Sequence, residues 1–152
     1  MDTSTYLLAI GAGLLLSYGY LRHRRRAAAV RALATRLGFD YLGPALPQSF
    51  TLRGTGLEAA TSFWNVINGE RNGIRTVAFD CQIGTGKGSW RRTVIAAKAT
   101  TEVFDALKFN IDLIVERSGD WLLLYQPKTA SLVPPGLMPV AEIEAHLEAV
   151  AR

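Results

Sequence analysis

The sequence predicts an α+β fold: an N-terminal transmembrane helix, then a mostly antiparallel sheet of about five to six strands and a C-terminal helix. Three observations predict it. Thr5 to Leu21 (TYLLAIGAGLLLSYGYL) is uncharged and closes abruptly on Arg22-His23-Arg24-Arg25-Arg26. Asn72-Gly73 separates two runs of alternating apolar residues, the strongest short-range hairpin signal a sequence offers. From Pro139 onward, apolar residues recur at helical spacing.

Residues 1–37 read as a transmembrane and juxtamembrane helix, and residues 38–152 as one cytoplasmic α+β domain. The remainder is long enough for one core but not for two. Three Trp and six Phe argue against disorder. The single cysteine, Cys81, excludes an internal disulfide framework and fits a reducing compartment.

The net charge of +4 is unevenly placed. Residues 1–36 hold six basic side chains and one acidic one, leaving 11 basic and 12 acidic residues for the rest. A nucleic-acid module carries its basic stripe on the folded surface, so a near-neutral domain excludes nucleic acid as partner.

At about 1.5 Å per residue, Thr5 to Leu21 covers roughly 25 Å, and Thr3 and Ser4 extend it toward the ~30 Å hydrocarbon core. A cleaved signal peptide has its positive charge before the apolar run. Here the charge comes after. Basic residues flanking a span stay cytoplasmic, so the expected topology is single-pass in the cell inner membrane, N-terminus outside and domain inside. Tyr18 and Tyr20 would then sit at the headgroup level. Arg22, Arg24, Arg25 and Arg26 form a membrane-flanking cluster that attracts anionic lipid headgroups, at about 1 kcal/mol per basic residue. Ala9, Gly13 and Ser17 recur every four residues, the small-xxx-small pattern of a helix-pairing face and hence a candidate homodimer contact.

Arg22 to Leu37 continues the helix through strong helix formers, with Val30, Leu33 and Leu37 on one face. Gly38 is placed to end it. Phe39–Leu42 reads as a short strand, after which Pro44 and Pro47 break regular structure. Ser49–Glu58 reads as an irregular connection. Ser62–Arg71 and Ile74–Ile83 form the Asn72-Gly73 hairpin. Along Ile74–Ile83, Val77, Phe79, Cys81 and Ile83 alternate with Thr76, Ala78, Asp80 and Gln82, predicting one buried and one mixed face. Trp90–Ala99 is a further strand and Thr100–Lys108 a short helix or turn. Asn110–Arg117 and the apolar run Trp121–Gln126 make a second hairpin, the latter suited to a central strand. In the last helix Met138, Ile143, Leu147 and Val150 form the apolar stripe.

Chemistry-bearing motifs are scarce. The loop Gly84-Thr-Gly-Lys-Gly-Ser89 lacks the spacing of a phosphate loop, and a strand comes after it where such a loop needs a helix. It reads as a hairpin loop. His146 and Cys81 are too few for a zinc site once His23 is assigned to the basic cluster. Cys81 reads as a buried, inert thiol. Asp80, Asp112, Glu116 and Asp120 read as solvated strand faces and hairpin ends. Trp64, Trp90 and Trp121 read as core or boundary residues, with an aromatic groove for a peptide or lipid as the functional alternative. No catalytic, metal or cofactor residues are assigned.

Ala34-Thr35-Arg36-Leu37-Gly38-Phe39, Asn65–Glu70, Gly73–Asp80 and Trp121–Tyr125, in that order after a short span, resemble a group of uncharacterised bacterial single-pass membrane-anchored proteins with a small cytoplasmic α+β domain. There the motifs run A-x-x-L-G-[FW] and then G-x-x-V-x-x-F-D, with the valine here one place later. The resemblance implies no activity and no functional residue. Hairpin-linked strands closed by a helix also resemble a pleckstrin-homology-like half-barrel, as architecture only. The expected function is a membrane-tethered interaction module that binds a protein or lipid headgroup at the inner face of the membrane. The competing expectation is an enzyme whose site uses no recognisable motif. A pocket with converging acids or His146 favours the enzyme, and an open groove favours binding.

Overall fold

Thirty-five residues, Thr3–Leu37, form one unbroken helix, α1. The computed structural model describes residues 3–98, 113–127 and 136–150. The expected short helix or turn over 100–108 and the strand start at 110–112 lie outside them. Gly38 ends α1 in the left-handed region (φ 71°). The amide of Phe39 then donates to the Ala34 carbonyl at 2.8 Å, and that of Gly38 to Thr35 at 3.3 Å. This double closure satisfies carbonyls that the helix end leaves open.

Six strands come next: β1 (Asp40–Gly43), β2 (Ala60–Arg71), β3 (Ile74–Ile83), β4 (Trp90–Lys98), β5 (Ile114–Ser118) and β6 (Trp121–Tyr125). They form one antiparallel sheet in the order β1-β2-β3-β4-β6-β5. The final helix, α2, spans Val140–Val150. The expected α+β class, antiparallel sheet and closing helix are therefore present. Arg71 pairs with Ile74 across Asn72 (φ 51°) and Gly73 (φ 78°). Two consecutive positive φ values make the two-residue turn whose twist matches the strands it joins. Gly86–Gly88 forms a short 3-10 turn between β3 and β4.

Both faces of the sheet are buried, where the alternation in β3 predicted one buried and one mixed. On one face, Ile67, Ala78, Ile95, Ala97, Leu122 and Leu124 pack against Val30, Leu33 and Ala34 of α1 and Ile143 and Leu147 of α2. On the other, Val77, Phe79, Val94 and Leu123 lie beneath Leu57 and the half-buried Leu46, Phe50 and Leu52. Those last four belong to the connection between β1 and β2, which has no regular structure yet serves as a lid. β6, with all five residues buried, is an interior strand, one place in from the edge strand β5, where its apolar run predicts a central one.

The second half of α1 thus belongs to the domain core rather than to the membrane surface. Its first half does not: Leu8, Ile10, Leu14, Leu15, Leu16 and Leu21 are each at least half exposed. Among the described residues no helix is long and apolar enough to cross a membrane.

Gly69 marks where α1 hands over to the sheet. It pairs with Thr76 in the β2–β3 hairpin, and the Phe39 ring lies directly on its backbone. A Cβ at this position would collide with that ring. Gly69→Ala is therefore expected to destabilise the fold by about 1–3 kcal/mol through overpacking. Urea unfolding measures this, and a midpoint equal to that of the parent would contradict the packing described.

Candidate functional site

Arg26 is the residue on which α1 is seated. Its Nε donates to Asp80 Oδ2 and its Nη2 to Asp80 Oδ1, each at 2.7 Å, a two-pronged pair. Nη2 also donates to Thr93 Oγ1 at 2.9 Å, and Nη1 to the Met138 carbonyl at 2.8 Å. The Asp80 side chain is 2% exposed and that of Arg26 15%. Asn65 Nδ2 (2.9 Å) and Thr93 Oγ1 (2.7 Å) donate the remaining two hydrogen bonds to the carboxylate. Thr93 Oγ1 in turn accepts from the Met138 amide at 3.0 Å, and Asn65 Oδ1 accepts from the Tyr41 hydroxyl at 3.1 Å. The network joins α1, four neighbouring strands and the chain leading into α2.

Local backbone geometry makes this convergence possible. The β2–β3 register slips between Trp64 and Ile67, and Asn65 occupies the slip with φ 53°. Asparagine tolerates that region better than most residues, and a bulge re-aims a side chain without ending the strand. Asp80 and Thr93 are cross-strand partners in β3 and β4. A carboxylate taking four hydrogen bonds, two of them from one guanidinium, has its oxygens fully satisfied away from water. The expectation that Asp80 lies on a solvated face is corrected on this ground: it is 1% exposed.

The predicted basic cluster accordingly divides. Arg26 is committed to the protein, whereas Arg22, Arg24 and Arg25 are exposed. Arg24 lies over the Tyr20 ring, 5.7 Å from its centroid. Gly13 and Ser17 are also exposed, and open space surrounds the Cα of Gly13. At about 100° per residue they lie roughly opposite the side of α1 that meets the sheet through Arg26, Val30 and Leu33. The side chain of Ala9 lies outside the described ones. The other acids stay apart. Glu116 accepts from the Gly56 amide at 2.9 Å, Asp120 pairs with Lys98 at 3.9 Å, and Asp112 lies outside the described residues.

Beside the Arg26 network, between α1 and the β3–β4 end of the sheet, lies a cavity of about 460 Å³. Tyr18, Gly19, Arg22, His23 and Arg26 contribute the helix wall, and Trp64, Gln82, Ser89, Trp90 and Arg91 the sheet wall. Its size is that of a small-molecule site. His23 meets the Trp64 ring edge-on at 6.5 Å between centroids, and the Arg91 guanidinium lies 5.8 Å from the centre of the same ring. None of its lining residues is acidic, and His146 is not among them. Two of the three tryptophans thus line a cavity, and Trp121 is core.

A second buried arginine behaves differently. Arg92 is 1% exposed on the face opposite α1, stacked over the Trp90 ring at 4.3 Å. Its Nη1 donates to the Arg91 carbonyl at 3.2 Å, but Nε and Nη2 have no partner among the described residues. Burial pulls its pKa down. The adjacent Cys81 thiol is pushed up to about 12, first by burial and then by the Asp80 carboxylate, and stays protonated and inert near neutral pH. Burial and the Glu116 carboxylate likewise raise Tyr125. Among the described residues no group of three His, Cys, Asp or Glu side chains could hold a metal ion.

Comparison with protein-family models, with curated proteins and with solved structures finds no match. The Arg26–Asp80 network is invisible to local pattern reading, because a flanking arginine and a strand acid look alike whether or not they meet. The one available signal is Asp80 itself, a carboxylate within the apolar run Val77–Ile83.

Part-buried Arg26 and fully buried Arg92 predict opposite outcomes for one substitution. Arg26→Met strands Asp80 as a buried charge and should cost about 3–5 kcal/mol. Arg92→Met removes an unpaired buried cation and should leave stability unchanged or raised. Chemical denaturation of the two variants checks this. Equal losses in both would contradict the assignment.

Proposed function

We propose that this protein is a membrane-tethered binding module. The first half of α1 inserts as a single span with the N-terminus outside, and the sheet domain stands at the inner face of the cell membrane. The observation that carries the reading is the division of α1. Residues Tyr6 to Leu21 present Leu8, Ile10, Leu14, Leu15 and Leu16 to the surroundings at 60–76% exposure, and the described residues cover none of them. An apolar surface of this extent calls for lipid or a partner. The segment is short and diluted by Gly, Ser, Thr and Tyr, so the bilayer would thin locally or polar flanks would snorkel to meet it. Exposed Arg22, Arg24 and Arg25 then fall at the headgroup level, on the side where the positive-inside rule retains them.

Binding rather than catalysis is favoured by the cavity: cations and aromatic residues line it, and among the described residues no acid converges on it. An open antiparallel sheet with a closing helix is also compatible with a pleckstrin-homology-like arrangement and with the bacterial anchored proteins the sequence resembles, as analogy. Gly13 and Ser17 face away from the sheet and are exposed, which leaves that side of α1 accessible to a second copy.

The topology is testable by cysteine labelling, since buried Cys81 contributes no background. In intact cells, Ser4→Cys should react with a membrane-impermeant maleimide. Ala149→Cys, at an exposed position of α2, should react only after lysis. The chain should also stay in the membrane pellet after alkaline carbonate extraction. Release into the supernatant, or the reverse labelling pattern, would overturn the reading.

A further inference from the structure

We infer that the cavity between α1 and the β3–β4 end of the sheet binds an anionic phosphate ester, the chemistry shared by a phospholipid headgroup and a free phosphorylated metabolite. The inference rests on the binding-module reading and names its ligand class. Three observations point to an anion. Among the described residues the wall carries Arg22, Arg26 and Arg91 and no acidic side chain. Asp80, the buried carboxylate beside it, is neutralised by Arg26 through two 2.7 Å hydrogen bonds, so the charge of Arg22 and Arg91 is left uncompensated there. Arg22 and Arg91 both make no ion pair among the described residues, and both are exposed on the rim.

The geometry further selects an oxyanion with several acceptors. Arg22 comes from the helix wall and Arg91 from the sheet wall, so a ligand between them would take planar, forked donors from two sides, as phosphate oxygens accept them. Ser89 adds a hydroxyl. The aromatic rings of Tyr18 and Trp64 offer apolar contact to the organic part of an ester. Trp64 places an indole on the wall against His23 and Arg91, whereas the Trp90 ring stacks with Arg92 on the other face and Trp121 is core. Intrinsic fluorescence therefore reports on the cavity.

The test uses the full chain in a neutral detergent, where binding does not depend on bilayer insertion. In one arm glycerol 3-phosphate is titrated in solution. In the other, phosphatidylglycerol is raised as a mole fraction of the micelle, with phosphatidylcholine as reference. A saturable change in tryptophan fluorescence is expected in at least one arm. Response to phosphatidylglycerol alone assigns the ligand as a lipid headgroup, and response in both arms admits a free phosphate ester. Arg91→Ala and Arg22→Gln should each weaken binding about tenfold, the loss of one charge-assisted contact. Both residues are exposed, so circular dichroism should show the folds intact. Arg75→Gln, at the far end of β3, should bind as the parent does. No saturable change in either arm, or unaltered binding by Arg91→Ala, overturns the assignment. Carbonate extraction judges the membrane tether separately, so failure of the one is distinguishable from failure of the other.

Discussion

A buried carboxylate in the middle of the sheet must be satisfied, and α1 supplies the cation that does it. Asp80 takes two hydrogen bonds from strand side chains and two from Arg26, which comes from a helix 54 residues earlier in the chain. Desolvating both charges is expensive, and their attraction offsets that cost only while the geometry is kept. The pair therefore contributes to specificity as much as to stability. It fixes which turn of α1 rests on the sheet, and through Thr93 and Met138 it also fixes where the chain enters α2.

The functional arrangement depends on that seating. With Arg26 held, Arg22 and Tyr18 are one and two turns nearer the N-terminus on the same side of α1. They become one wall of the cavity, and Trp64, Trp90 and Arg91 become the other. A helix that continues unbroken into the domain core has no flexible linker. The apolar stretch before Arg22 and the domain after it then move together, and the cavity keeps a constant distance from the end of the exposed apolar segment.

Much of the architecture is written locally. Asn72-Gly73 specifies the hairpin, Gly38 the end of α1, and the unbroken apolar run of β6 its place inside the sheet rather than at an edge. These readings succeed because turn chemistry and periodicity act over a few residues. The features that could not be read depend on contacts distant in sequence. The connection between β1 and β2 lacks periodicity, so nothing in it announces that Leu46, Phe50, Leu52 and Leu57 cover a whole face of the sheet. That cover is why the alternation in β3 misled. Of the arginines read as facing lipid, Arg26 alone turns inward, and its neighbours in sequence carry no mark of the difference. The cavity was illegible for the same reason: Arg22 and Trp64 read as flank and boundary residues, but not as neighbours.

If α1 and the sheet domain form one rigid body joined at Arg26, the distance between the exposed part of α1 and α2 must be fixed. Spin labels on Ser17→Cys and Ala141→Cys measure this directly by pulsed dipolar spectroscopy. A single narrow distance distribution is expected, and it should broaden when Arg26→Gln is added. A broad distribution in the protein with Arg26 intact would contradict the rigid joint.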